Sequence, residues 1–368
     1  MQLSEVIRLL QASKRPLLHI GNGARDAEWD IGIPFVTARN ANDICASDHP
    51  RFVGRPGTFG QRGANFAVQT CDLYIAVGTR LSLTQTGYNT KDYARNAVIV
   101  QVNIDVAEME KGTLRDPINI EMDAAEFLKA LPRIERPEWL AQCKLWQAKY
   151  PVCLPEYKDE AFVNSYYFID QLSDALNEQD IIVTDMGMAF QSTHQAFKVK
   201  KGQRLMTNCG LAPMGWGLPA AIGASFATGR RVILITGDGG LMMNIQELAT
   251  VAHHQLNIKI FLFDNQGYST IKQTQELGFE GRLMGVNKET GLSFPDWLGI
   301  KQAFSIEHSL IDDAPSMIIL KLNPDQPQAP RFLNRRNPDG TMNPTTLEDS
   351  YPFLPPEVIK QEMQCAQS

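Results

Sequence analysis

The sequence predicts an α/β chain with two doubly wound parallel-sheet domains in series. Three observations carry this. The chain has 368 residues, more than one ordinary core accommodates. Short apolar runs alternate with amphipathic helical stretches in both halves. Several of those runs end in Gly or Asp, as strands do when they deliver a turn to the carboxyl edge of a parallel sheet.

In chain order, "MQLSEVIRLL" puts Leu3, Val6, Ile7, Leu9 and Leu10 on one helical face. "RPLLHIGNGA" is a buried strand ending in glycines, and "IPFVTA" is a second strand. "GANFAVQTCD" is helical, "LYIAVGT" is a strand ending at Gly78, "AVIVQVNID" is a strand ending at Asp105, and "DAAEFLKALP" is a helix. The first domain is thus assigned to residues 1–131 and a Pro-, charge- and aromatic-rich surface linker to 132–160. The second domain, 161–325, opens on the helix "YYFIDQLSDALN" and the strand "DIIVTDMG". "GWGLPAAIGASFA" is a helix of small residues, and "RVILITGDGG" is strand and turn. A helix of about four turns from Leu241 follows, then "IKIFLFDNQGY", the helix "FPDWLGIKQAF" and the strand "SMIILKL". Residues 326–368 are a tail that is either disordered or draped over a partner; "LEDSYPFLP" is suited to closing over a site as a lid.

Composition excludes several classes of function. A net charge of −6 argues against a nucleic-acid groove. No apolar run approaches the roughly 18 residues that span a bilayer, and the N-terminus lacks the features of a signal peptide. The six cysteines are scattered without a CxxC, which predicts reduced thiols, a cytoplasmic setting and no zinc site. His19, His49, His194, His253, His254 and His308 show no ligand spacing.

The informative stretch is "TGDGGLMMN", residues 236–244. Asp238 follows the strand "VILIT", and Asn265 follows the strand "IKIFLF". A crossover helix between parallel strands places both strand ends on one sheet edge, so the two side chains come within reach of a single ion. Both offer hard oxygen donors without Cys or His, which suits magnesium or calcium. Gly237, Gly239 and Gly240 leave backbone N–H groups and the helix start open to an anion. Gly267 permits a turn that presents a backbone carbonyl as a third ligand. The inferred ligand is a diphosphate bridged by a divalent cation. A plain turn is the competing reading of the GDG alone.

"GDGGLMMNIQELATVAHHQLNIKIFLFDNQGY" and "GLAPMGWGLPAAIGA" resemble the thiamine diphosphate-dependent superfamily, in particular acetolactate synthase-like large subunits. "RPLLHIGNGA", "GTFGQRGANFAVQTCDLYIAVGTRL" and "VIVQVNIDVAEMEK" are similar to that family's central Rossmann-like domain. The resemblance covers about residues 1–325 and implies a C-terminal diphosphate-binding domain after the central one. It implies thiamine diphosphate as cofactor and Mg2+ held by Asp238, Asn265 and the Gly267 carbonyl. It implies that Gly187, Met188, Ala189, Ala212, Gly237, Gly239, Gly240 and Tyr268 border the cofactor, with Met214 beneath its bend. Two departures stand out. Asp264 replaces the first of a frequent Asn-Asn pair, and "GMAF" stands where acetolactate synthases usually show a Gly-Gln-His type sequence, which favours a relative with another substrate.

The resemblance further implies decarboxylation of a 2-keto acid, carboligation to an acceptor carbonyl, or both. In the family an activating glutamate comes from an N-terminal pyrimidine-binding domain, and no glutamate here matches that position. The expectation is therefore a split enzyme: no catalytic residue in this chain, a partner chain supplying the pyrimidine domain, and a dimeric or tetrameric assembly. A deletion or truncation gives the same sequence. "GNGAR" and "VGTRL" also resemble places where some relatives bind FAD, on an incomplete glycine pattern. Competing readings are a non-catalytic diphosphate-binding module of the same fold and a dinucleotide-dependent oxidoreductase.

Overall fold

Two all-parallel sheets organise the chain. The structure, a computed structural model, describes residues 2–306, 312–336, 339–343 and 345–365. These fall into two units, residues 1–152 with 329–368, and residues 153–328.

The first unit's sheet contains β1 (Pro16–Ile20), β2 (Phe35–Thr37), β3 (Phe52–Gly54), β4 (Leu73–Val77), β5 (Val98–Asn103) and β6 (Ile118–Glu121). Their spatial order is β3-β2-β1-β4-β5-β6. Side chains alternate across this sheet, as the period of two requires. Leu18, Ile20, Phe35, Ile75 and Val100 enter one core, and Leu17, Val36, Tyr74, Ala76 and Ile99 the other. With both faces covered, the strands read as continuous apolar runs. The order reverses between β1 and β4, where a doubly wound sheet offers a crevice. Here the two loops close on each other: Gly23 donates to the Gly78 carbonyl at 3.0 Å, and a Cβ on Gly21 would lie 2.1 Å from that oxygen. The glycines of "GNGAR" and "VGTRL" serve this backbone packing, and the contacts give FAD no support.

The stretch expected as a surface linker contributes a helix to this unit, Pro137–Lys149. Pro sits at its first turn, where the missing N–H costs nothing. Trp139, Cys143 and Trp146 form its buried face against the Arg62–Thr70 helix, with Phe66 and Trp146 stacked at 5.7 Å.

The expected lid or disordered tail likewise belongs to this unit from Ala329 onward. The Arg62–Thr70 helix is buried along its whole length and carries a polar stripe at 62, 65 and 69. Asn65 donates to the Leu347 carbonyl at 3.1 Å, Gln69 to Glu348 at 2.7 Å, and Arg62 to the Ser350 and Pro352 carbonyls at 3.2 and 2.7 Å. Farther on, Glu362 of the Pro356–Cys365 helix accepts from Trp146 Nε1 at 2.7 Å and Tyr150 at 2.8 Å, and pairs with Lys149.

The second unit's sheet contains β7 (Ile181–Thr184), β8 (Arg204–Met206), β9 (Val232–Gly237), β10 (Ile258–Asp264) and β11 (Ser316–Lys321), in the order β11-β10-β9-β7-β8. β9 and β10 are its apolar centre, in register from Val232–Ile258 to Gly237–Phe263. The sheet's order reverses between β7 and β9. The connection from β9 to β10 is not one helix of four turns. It is Asp238–Met242, a 3-10 turn Ile245–Glu247 and a helix Leu248–His253. The break falls at Asn244, whose side chain leaves the helix to bond the Gly215 carbonyl. Glu247, in that turn, accepts from Thr250. His308 lies outside the described residues. No helix among those described is long and apolar enough to cross a membrane.

Candidate functional site

The carboxyl ends of β7, β9 and β10 lie side by side, with the reversal of strand order between β7 and β9, the position where open α/β sheets take ligands. β9 delivers Gly237 and Asp238, β10 delivers Asp264 and Asn265, and β7 delivers Asp185. Each strand is buried along its length, save for the half-buried Gly237 at the end of β9, so its register fixes what its end presents.

Asp238 is 2% exposed. Its Oδ1 accepts from Gly239 N at 2.7 Å and its Oδ2 from Gly267 N at 3.2 Å. One terminus of the Asn265 amide lies 2.8 Å from the Gly267 carbonyl oxygen and 3.2 Å from Asp238 Oδ2. The other terminus lies 3.1 Å from Ser269 Oγ. The structure thus brings together the three groups expected around one cation. Burial pushes the Asp238 carboxyl up to about 7, and the charge of Asp264 adds to this against the N–H groups of Gly239, Gln266 and Gly267. A buried carboxylate, a carbonyl oxygen and an amide form an acceptor-rich corner short of positive charge. With the amide NH2 turned inward, the corner satisfies itself; with the amide oxygen inward, three oxygens face one point. The Ser269 hydroxyl accepts or donates and serves either orientation. This donor set fits a hard divalent ion such as Mg2+. Among the described residues no three His, Cys, Asp or Glu side chains gather as a softer metal set would need.

Asp264, beside Asn265, does not join this corner through its carboxylate, which pairs with Lys321.

The glycines beside Asp238 are used for close approach. A Cβ on Gly239 would lie 2.4 Å from Tyr268 Cε1 and 2.8 Å from Met214 Cε, so both side chains rest directly over this backbone. A Cβ on Gly240 would lie 2.8 Å from Asp185 Cγ. The helical turn Asp238–Met242 is only five residues long. Its attraction for an anion therefore comes from local N–H groups rather than from a long macrodipole. Gly187, at φ +74°, begins the Met188–Ala196 helix and sits across from Thr270, whose Oγ1 would be 3.7 Å from a Cβ there. Met188 and Ala189 are buried in the first turn of that helix. Ala212, at φ +54°, is exposed and donates to the Asn208 carbonyl at 2.8 Å; its side chain is not drawn into the cluster. Around the site, Leu211, Met214, Met243 and Ile271 leave apolar surface exposed.

Two residues escape the sequence reading. Asp185, 1% exposed, accepts from Met186 N at 2.7 Å, Gly215 N at 3.0 Å, Gly217 N at 3.2 Å and Thr236 Oγ1 at 3.4 Å. Burial raises its carboxyl above the usual range, opposed by these same donors. Asn244 grips the other side of Gly215. Asp185 carried a signal, being the last residue of the apolar run "IIVTD" on the same edge. Asn244 did not, because a polar residue inside a helical pattern reads as its solvent face.

Two family models match this chain. The thiamine pyrophosphate enzyme central domain matches residues 3–131, and the thiamine pyrophosphate enzyme C-terminal TPP binding domain matches residues 185–318. This chain belongs to the thiamine pyrophosphate enzyme family. The first match contains the whole first sheet, and the second runs from the residue after β7 into β11 of the second sheet. Among curated relatives, the acetolactate synthase isozyme 1 large subunit of Escherichia coli K12 is 31% identical over 98% of this chain and 64% of its own length. The isozyme 2 large subunit of the same organism is 31% identical over 98% of this chain and 66% of its own length. A probable acetolactate synthase large subunit of Methanocaldococcus jannaschii is 32% identical over 83% of this chain and 55% of its own length. The chain thus spans less than two thirds of the length of each. Family membership makes thiamine diphosphate the cofactor expected at the carboxyl edge of the second sheet.

Proposed function

We propose that this chain holds the diphosphate end of thiamine diphosphate, through Mg2+, in an enzyme that decarboxylates a 2-keto acid, joins it to an acceptor carbonyl, or both. The observation that carries this is the convergence of Asp238, Asn265 and the Gly267 carbonyl at the carboxyl ends of β9 and β10, beside the reversal of strand order. The acetolactate synthase large subunits among its relatives support the substrate class. The cofactor, when bound, would supply a carbon nucleophile for a keto carbonyl and a cationic ring as sink for the electron pair freed on decarboxylation.

The chain's own residues bind and orient. Asp238, Asn265 and Gly267 hold the cation, whose charge offsets the burial of the Asp238 carboxylate. Gly239 and Gly240 leave their backbone open to the diphosphate, with Gly237, Gly187, Met188 and Ala189 at its border. Met214 and Tyr268 form an apolar wall over Gly239. Ala212 stands on the exposed segment leading to Met214. None of these groups removes a proton; in this reading the activating glutamate comes from a pyrimidine-binding domain, carried by a partner chain. The exposed apolar side chains of Leu211, Met214, Met243 and Ile271 support such a cover, because the chemistry needs water excluded. A site shared between chains implies at least one copy of each, as a dimer or a tetramer.

Calorimetry tests this reading. Thiamine diphosphate binds only with Mg2+, and more tightly when a pyrimidine-domain protein is added; Asp238→Ala weakens binding about 100-fold or more. Carbon dioxide release from a 2-keto acid appears only with both chains present. Unchanged binding by Asp238→Ala would instead favour a non-catalytic module. Full turnover by the isolated chain would overturn the shared site.

A further inference from the structure

Gly215 is the only residue between Met214 and Trp216, and both of its backbone polar groups are held by side chains from distant parts of the second unit. Its N–H points at the Asp185 carboxylate, 3.0 Å from Oδ1 and 3.2 Å from Oδ2. Its carbonyl accepts from Asn244 Nδ2. The next N–H but one, that of Gly217, also reaches Asp185 Oδ2, at 3.2 Å. Gly215 has φ +87°, where a side chain is strained, and a Cβ there would lie 2.5 Å from Met243 Cβ and 2.8 Å from Asn244 Nδ2. Asp185 also lies under the second glycine of the Gly239-Gly240 pair: Gly240 packs so closely on its carboxylate that a Cβ would lie 2.8 Å from Cγ.

We infer that Asp185 and Asn244 are positioning residues that clamp Gly215 from both sides and so set Met214 over Gly239 at the cofactor's bend. This rests on the proposed cofactor site and deepens it. The geometry shows why two side chains are needed. The turn 214–216 lies in neither the sheet nor a helix, and Gly217 opens the helix Gly217–Thr228, where a first-turn N–H has no partner within the helix, so these groups have no ladder to join. A carboxylate takes two N–H groups from one side, and charge-assisted bonds of this kind are the stronger ones. The amide of Asn244 takes the carbonyl from the other side and thereby interrupts the helix that the sequence pattern otherwise continues. The interruption joins the Met214 turn to the segment that follows the Asp238 turn. A shift of one is transmitted to the other, and Met214, whose methyl group lies directly over Gly239, moves relative to the backbone that faces the diphosphate.

The variants Asp185→Asn and Asn244→Ala test this in the full chain, with Met214→Ala as a comparison. Hydrogen exchange is read first, without any ligand. The peptide spanning residues 210–218 exchanges about tenfold faster in both variants, and the peptide spanning β9 is unchanged. Binding is read second, with two probes in the presence of Mg2+, inorganic pyrophosphate and thiamine diphosphate. Because the clamp acts on Met214 and not on the metal corner, both variants bind thiamine diphosphate about tenfold more weakly, as Met214→Ala does, and bind pyrophosphate as the wild type does. Asn244→Asp, which keeps the size but offers an acceptor to a carbonyl, fails to restore either readout, and Asn244→Gln restores part of the protection. Equal weakening of both probes would mark the two residues as general supports of the fold and overturn the clamp. So would unchanged exchange at 210–218. If the wild type binds neither probe, the cofactor-site reading fails, and the exchange result alone decides whether the clamp exists.

Discussion

At the scale of single residues, Gly239 and Gly240 are adjacent and differ in what an added methyl group would meet. The neighbours of Gly239 are the methyl group of Met214 and the ring edge of Tyr268, both partly exposed side chains with room to turn outward. The neighbour of Gly240 is the Asp185 carboxylate, fixed by four donors from 186, 215, 217 and 236. Gly240→Ala therefore destabilises the protein by about 1–3 kcal/mol, the usual cost of overpacking a site that cannot yield. Gly239→Ala changes the thermal midpoint little and weakens thiamine diphosphate binding instead. Thermal denaturation beside calorimetry separates the two. The sequence made the carboxylate and amide of the metal corner legible, because each follows a long apolar strand and the crossover rule forces the ends together. Asp185 was half legible, since its position on the edge could be read but its partners could not. Those partners lie 30 to 51 residues away, at Gly215, Gly217 and Thr236, and nothing local announces them.

Elements show the same division. β9 and β10 are apolar over most of their length, and the helix Gly217–Thr228 ends at Gly229 in the left-handed conformation, so pattern and cap agree. The strands β3 and β8 are three residues each, too short for a period to emerge. The Pro137–Lys149 helix was obscured by its charges, although Trp139, Cys143 and Trp146 at spacings of four and three mark a buried face. The tail was misread because its anchoring is polar. It docks through main-chain carbonyls and Glu348 on the 62, 65 and 69 stripe, which hydrophobic patterning does not register. Arg62→Ala leaves those carbonyls without their charged donor and costs about 1.5–3 kcal/mol, read as earlier proteolysis within the tail. The Pro356–Cys365 helix has its own pH dependence. Burial raises the Glu362 carboxyl, but hydrogen bonds from Lys149, Tyr150 and Trp146 outweigh it and leave it below its ordinary value. A depressed carboxyl contributes stability that is full above the unfolded value and is lost as pH falls through the folded one. Trp146 fluorescence therefore reports release of this helix on acidification below the ordinary glutamate range, and Glu362→Gln removes that transition.

For the whole molecule, each parallel sheet reverses its strand order once, and the two reversals are built differently. In the first unit the loops after β1 and β4 close backbone to backbone. In the second, an oxygen corner and a bare glycine turn face the edge. Ligand linkage should follow this difference. Thiamine diphosphate with Mg2+ at about a hundred times its dissociation constant stabilises the second unit by about 2.7 kcal/mol, read as hydrogen-exchange protection confined to peptides from 153–328. The most direct measurement is a crystal structure with Mn2+ in place of Mg2+ and pyrophosphate or thiamine diphosphate added, collected for anomalous scattering. An anomalous peak within coordination distance of Asp238 Oδ2, Asn265 Oδ1 and the Gly267 carbonyl oxygen, with phosphate oxygens completing the shell, is the predicted result. A bound diphosphate with no peak there, or a peak held by other residues, would contradict it.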